Sequence, residues 1–229
     1  MTQPKPHAGY PEKQLAAGAE RPMAQVRTVI FDLGGVLLDW RPAQVLARCY
    51  PEAATQERVR EALFRHEDWR TFNRGECSEA ELLERVSRRH DLSVTDLERV
   101  MTAVRDSLVE LPDTVAYLEE LHAEGVPLYC LSDMPVPVFA HVRQRGTFWN
   151  AFRGIVVSGE VRMLKPSHEI FNHILSRYAL APESTAFIDD HPPNIEGARR
   201  AGIHAILFTD VAQCREAVDA WRAGPSQRA

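Results

Sequence analysis

The chain has 229 residues, 45% of them hydrophobic and 26% charged, proportions of a folded globular protein that exclude a disordered or fibrous one. Lys and Arg total 27 against 32 Asp and Glu, a formal charge of -5, and no basic run offers a footprint for nucleic acid. No stretch reaches the roughly 18 apolar residues of a membrane span, and Cys49, Cys77, Cys130 and Cys214 lie too far apart for a short metal-ligand spacing. These features predict reduced thiols in a cytoplasmic protein, with neither a membrane nor nucleic acid as partner.

Residues 1–25, with Pro4, Pro6, Pro11 and Pro22, read as a flexible leader. The character changes at Val29-Ile30-Phe31, a continuous apolar run of the kind buried on both faces of a sheet, which ends in Asp32. Between 41 and 106 the pattern predicts helices over 55–66, 79–90 and 95–108 and no convincing strand. Ser78 with Glu81, and Ser93 with Asp96, have the spacing of capping boxes. Beyond this block, helices at 113–124, 168–178 and 193–201 alternate with apolar runs at 126–131, 155–157, 186–188 and 204–208. Such alternation predicts an α/β fold, a doubly wound parallel sheet. The core would comprise 26–40 and 107–222, the helical insertion 41–106, and a fraying tail 223–229.

In an open parallel sheet, ligands bind beyond the carboxyl ends of the strands. Three runs end in polar residues: Asp32, Ser132-Asp133 and Asp189-Asp190. An Asp at a strand end often only caps the next helix. Carboxylates delivered by separate strands to one rim repel one another, however, and call for a cation. An oxygen-only donor set suits a hard ion, and Mg2+ is the expected one. Lys165 adds a positive charge, and Pro166 after it is expected in the first turn of a helix, which would put the ammonium at a helix N-terminus.

The spacing of these pieces resembles the haloacid dehalogenase superfamily over nearly all of 26–210. Phe31-Asp32-Leu33-Gly34-Gly35-Val36-Leu37 is similar to its first motif, Leu131-Ser132 to its second and Lys165-Pro166 to its third. Phe187-Ile188-Asp189-Asp190-His191-Pro192-Pro193-Asn194 is similar to its fourth. The resemblance implies a Rossmann-like core with a cap, and a Mg2+-dependent phosphatase acting on a small phosphorylated metabolite. Asp32 would be the nucleophile and Lys165 its cationic partner. Ser132, Gly34, Gly35 and Lys165 would bind phosphate, while Asp32, the Gly34 carbonyl, Asp189 and Asp190 would hold the metal. Trp69, Phe72, Asn73, Arg74 and Gly75 lie in a segment like the family's substrate-facing loop, with Trp40 and Arg41 at the hinge. Trp69, Phe72, Arg74, Arg41 and His191 are the residues expected to set substrate specificity.

Two positions depart from the family. Gly34 stands where most of its phosphatases carry a second Asp that protonates the leaving group, so water, a cap residue, His191 or the substrate must do so. The resulting Asp-Leu-Gly pattern resembles that of sugar-1-phosphate phosphatases. Asp133 replaces the usual Asn, and must either turn away from phosphate or join the metal shell. Two other readings stand beside the phosphatase: a metal-independent dehalogenase on the same fold, and a catalytically weak binding or regulatory protein.

Overall fold

The computed structural model describes residues 27–223; the leader expected at 1–25 and the tail expected at 223–229, apart from Ala223, lie outside the described residues. Among those residues, five strands form one sheet: β1 (Thr28–Phe31), β2 (Leu128–Ser132), β3 (Phe152–Val157), β4 (Thr185–Asp189) and β5 (His204–Leu207). All neighbours are parallel, in the order β3-β2-β1-β4-β5. Strand order therefore reverses around β1, which places a ligand crevice at the carboxyl ends of β1 and its neighbours.

The continuous apolar runs are explained by burial on both faces. Val29 and Phe31, Leu128 and Cys130, and Ala186 and Ile188 point into one cluster. Ile30, Tyr129, Leu131 and Phe187 point into the other. β2 begins two residues later than expected because Pro127 has no N–H to enter the ladder; its carbonyl instead accepts the Val29 N–H at 3.0 Å. β3 begins earlier than expected, at Phe152. Arg153 and Gly154 had hidden it, and Gly154 is small because a Cβ there would lie 2.3 Å from the Tyr178 ring.

Between β1 and the rest of the sheet lies a block of helices: α1 (Pro42–Cys49), α2 (Ala53–Val59), α3 (Glu67–Asn73), α4 (Glu79–His90) and α5 (Val94–Ser107). The remainder are α6 (Pro112–Ala123), α7 (Val136–Arg145), the single turn α8 (Ser158–Val161), α9 (His168–Arg177), α10 (Pro192–Arg200) and α11 (Val211–Ala223). The Ser78–Glu81 capping box is complete, whereas Ser93 accepts the Asp96 N–H at 3.3 Å and the Asp96 carboxylate pairs with Arg99 at 3.0 Å. The helix expected over 55–66 is α2 followed by a π turn over Arg60–Phe64. It stops short of His66, whose ring accepts the Asp68 N–H at 3.1 Å and caps α3. Pro166 is not in the first turn of a helix either, since Ser167 is the N-cap of α9.

The chain enters and leaves the helical block through paired segments: Asp39 N–H donates to Val109 O at 2.8 Å and Leu111 N–H to Leu37 O at 2.9 Å. Core residues of the block, such as Val45, Leu63, Val100 and Val104, belong to the same buried cluster as Phe31 and Leu37 beside the sheet. Among the described residues, no helix is long and apolar enough to cross a membrane.

Candidate active site

Asp32 leaves β1 with its N–H donating to Ile188 O at 2.9 Å, so the loop that follows starts from the β1–β4 seam. The N–H groups of Leu37 and Leu38 return to Leu33 O at 2.8 and 2.7 Å, closing a tight loop. Only one of its two glycines needs a positive φ. Gly35 has φ +80°, and a Cβ there would lie 2.3 Å from Asp190 Oδ2. Glycine allows both the backbone conformation and the close approach. Gly34 is required by neither, since a Cβ there would meet Trp40 Cβ at an ordinary 3.4 Å.

Lys165 is 3% exposed, and its ammonium is held between the strand ends. Nζ lies 2.7 Å from Asp189 Oδ2, 2.9 Å from Asp32 Oδ1 and 3.2 Å from Leu131 O. Burial works to lower its pKa, but Asp32, Asp189 and Asp133 together hold it above the usual lysine value. Asp189, wholly buried, also accepts the His191 N–H at 2.8 Å and the Asn194 side-chain amide at 3.1 and 3.0 Å. Burial raises the Asp32 carboxyl above its ordinary range, Lys165 pulls it back and Asp189 adds to the rise. Asp190 opens toward solvent, yet partial burial and the charge of Asp189 still raise its carboxyl.

One oxygen from each of Asp32, Asp189 and Asp190 lies within 4.8 Å of the others. Asp32 Oδ1 is buried and, despite the nearby ammonium, has no aligned hydrogen bond. A buried carboxylate oxygen without a hydrogen bond, beside two further carboxylates, fits an oxygen-liganded hard cation. Asp133 stands apart from this group. Its Oδ1 accepts the Lys165 N–H at 3.1 Å, so the residue that departs from the family pattern ties down the backbone of the lysine loop. Burial pushes its carboxyl up to about 6.

Above these groups lies a cavity of ≈ 330 Å³. Asp32, Gly34, Ser132, Asp133, Lys165, Asp190, His191 and Asn194 supply its polar lining near the strand ends. Much of the rest is apolar: Trp40, Trp69, Val104, Leu108, Met134, Pro135, Val138 and Leu164. The Trp40 and Trp69 rings are parallel, 6.3 Å apart, with Phe64 edge-on to both.

Of the residues singled out in the helical segment, Trp69 and Asn73 line this cavity, joined by Arg70, which sequence reasoning missed. Phe72, 1% exposed, is packed in the buried core. Arg74 pairs with Glu67 at 3.1 Å and Glu76 at 3.4 Å and borders a neighbouring groove. Arg41 is exposed and bound to Asp39 at 2.7 Å on the connector. The 3.6-residue period of α3 explains the division: Trp69, Arg70 and Asn73 fall within a sector of about 100°, outside which Phe72 lies. That signal becomes usable only once α3 is recognised as a helix.

A family model of haloacid dehalogenase-like hydrolases matches residues 26–202 of this chain. The sequence is 26% identical over 191 residues to the sesquiterpene phosphatase astK of Aspergillus oryzae, covering 83% of this chain and 94% of that protein. A shorter similarity, 32% over 97 residues, relates 42% of the chain to 39% of the phosphoserine phosphatase of Thermus thermophilus. Among solved structures, the HAD family enzyme bt-2542 of Bacteroides thetaiotaomicron, in complex with magnesium and inorganic phosphate, matches with a TM-score of 0.64 at 22% identity. That likeness covers 80% of this chain and 94% of the other, and it shows the fold.

Proposed function

The chain belongs to the haloacid dehalogenase-like hydrolases, and on that premise we propose a Mg2+-dependent phosphomonoesterase that works through Asp32 on phosphate esters of apolar alcohols. The observation that carries the reading is the buried contact of Lys165 with both Asp32 and Asp189, beside a third carboxylate. Asp32, Asp189, Asp190 and the Gly34 carbonyl would hold Mg2+, which when bound offsets the charge of the carboxylates and of the phosphoryl oxygens.

Lys165 favours the ionised form of Asp32 by direct contact and orients Asp189, while Asn194 and the His191 N–H fix the same carboxylate from the other side. A carboxylate oxygen of Asp32 attacks phosphorus in line, forming an aspartyl-phosphate as the bond to the alcohol oxygen breaks and that oxygen takes a proton from water to leave as the alcohol. Water then attacks phosphorus, the bond to Asp32 breaks, and inorganic phosphate leaves. Ser132 would donate its hydroxyl to the phosphoryl oxygens during both displacements, and the loop of Gly34 and Gly35 lets backbone approach them. The helical block acts as a cap whose Trp69, Arg70 and Asn73 meet the substrate.

The Asp-Leu-Gly pattern alone points to a sugar phosphate, but a sugar needs hydrogen-bonding partners along its whole length. On the cap side the cavity offers only Arg70 and Asn73 as polar partners, and the rest of the wall that would face the alcohol is Trp40, Trp69, Val104, Leu108, Val138 and Leu164. The relative whose name specifies sesquiterpenes supports the same choice. Three clustered carboxylates argue against the metal-independent dehalogenase, because they would remain uncompensated. The free thiols fit the cytoplasmic setting we propose.

The test is turnover of a panel of prenyl, sugar and aryl phosphates with and without Mg2+. Prenyl esters should exceed sugar esters in kcat/KM, every rate should require the metal, and Asp32→Asn should abolish activity. With glycine at 34 no carboxyl there protonates the leaving oxygen, so aryl esters of low leaving-group pKa should give the higher kcat. Turnover that ignores Mg2+, or sugar esters ahead of prenyl esters, would overturn the corresponding part of the reading.

A further inference from the structure

Ser158, at the carboxyl end of β3, has no solvent exposure and lines neither the cavity nor the carboxylate cluster. Its hydroxyl donates to the carbonyl of Asn73 at 2.7 Å and accepts the N–H of Met134 at 2.9 Å. Both partners are backbone groups left over at the ends of elements. Asn73 is the last residue of α3, whose final carbonyls have no partner within the helix. Met134 follows Ser132 and Asp133 in the loop after β2. A single hydroxyl therefore joins the helix that carries Trp69, Arg70 and Asn73 to the loop that carries Ser132 and Asp133.

The backbones around it are in equally close contact. A Cβ at Gly75 would lie 2.3 Å from Gly159 O, and a Cβ at Gly159 would lie 2.9 Å from both Met134 O and Val136 N. Two glycines thus let the turn after α3 rest on the backbone beside Ser158, with no side chain between them. Hydrophobic contact between helix and sheet tolerates sliding, whereas a buried hydrogen bond has a short range and a direction.

We propose that Ser158 is a positioning residue that sets the separation of α3 from the loop after β2, and so determines which esters the cavity accepts. The proposal rests on the reading that the cavity holds the ester's alcohol. Removing the hydroxyl leaves a buried carbonyl and a buried N–H without partners, and the two walls separate to let water reach them. The loop after β2 stays anchored through Ser132 at the end of β2 and through Asp133 on the Lys165 N–H, so α3 is the wall that moves. A small ester bound mainly through its phosphoryl group is indifferent to that movement. A long apolar ester that spans both walls is not.

The experiment compares the Mg2+-loaded parent with Ser158→Ala and with Gly159→Ala, whose Cβ would wedge the turn of Ser158 away from the backbone of Met134 and Val136 while leaving the hydroxyl in place. KM and kcat are measured for 4-nitrophenyl phosphate and for a prenyl monophosphate, and amide hydrogen exchange is followed over 69–75 and 132–136. In both variants KM for the prenyl ester should change at least several-fold relative to that for the aryl ester, while kcat for the aryl ester stays within about twofold. The two segments should lose protection together, by about tenfold, as expected for one lost buried hydrogen bond. Parallel changes on both esters, or loss of protection in one segment only, would show an ordinary structural hydroxyl and overturn the proposal. If the parent hydrolyses neither ester, the phosphatase reading fails by itself, and the exchange result alone decides whether Ser158 joins the two walls.

Discussion

At the residue scale the site is a problem of uncompensated negative charge, and Lys165 solves only part of it. One ammonium touches two carboxylates, yet burial still holds Asp32, Asp133 and Asp190 above the ordinary carboxylate range. Asp133 gives this a testable sign. Its carboxyl moves from 3.8 to about 6 on folding, so between those values the native state binds protons that the unfolded chain has lost. Stability contributed by such a group falls as pH rises through that window. Asp133→Asn keeps an oxygen acceptor for the Lys165 N–H but cannot titrate. In metal-free protein the substitution should therefore make the urea-unfolding free energy decline less steeply between about pH 4 and 6. An identical slope in parent and variant would mean that Asp133 titrates alike in the folded and unfolded states.

At the scale of elements, the helix α3 decides which residues line the cavity. Trp69 lines the cavity and Phe72 fills the core three residues later, although both are large aromatics in one short segment. Trp69→Ala should lower kcat/KM for prenyl esters while leaving aryl esters nearly unchanged. Phe72→Ala should cost about 3–5 kcal/mol of stability and preserve the ranking of substrates. Kinetics on both esters together with urea unfolding checks the pair, and a reversed assignment would place the Phe72 face of α3 toward the substrate.

The same helix marks where the sequence stops being informative. Strand ends were legible because an apolar run that breaks at Asp32, Ser132 or Asp189 is a local pattern, and its chemistry lies in the residue types. The helices α1 and α3 were not, being 8 and 7 residues long with few turns to establish a period. Without α3, Arg70 could not be placed on the cavity wall, nor Arg74 and Phe72 off it. Nor could local reasoning foresee that Asp133 would bind the Lys165 backbone, 32 positions away.

Taken whole, the molecule is a sheet domain and a helical block that share one buried cluster, with the cavity at their seam. The seam brings an apolar wall to the edge of a polar strand-end cluster, which an ester of phosphate and an apolar alcohol would match at both ends. In the proposed mechanism the phosphoryl group passes through Asp32. This step is tested most directly by rapid acid quenching of the Mg2+-loaded protein during turnover of a prenyl monophosphate, followed by peptide mass spectrometry. A phosphoryl adduct should appear on Asp32, forming and decaying at rates able to support turnover, and should be absent when Mg2+ is withheld. Steady turnover with no adduct on Asp32, or an adduct on another residue, would contradict that mechanism.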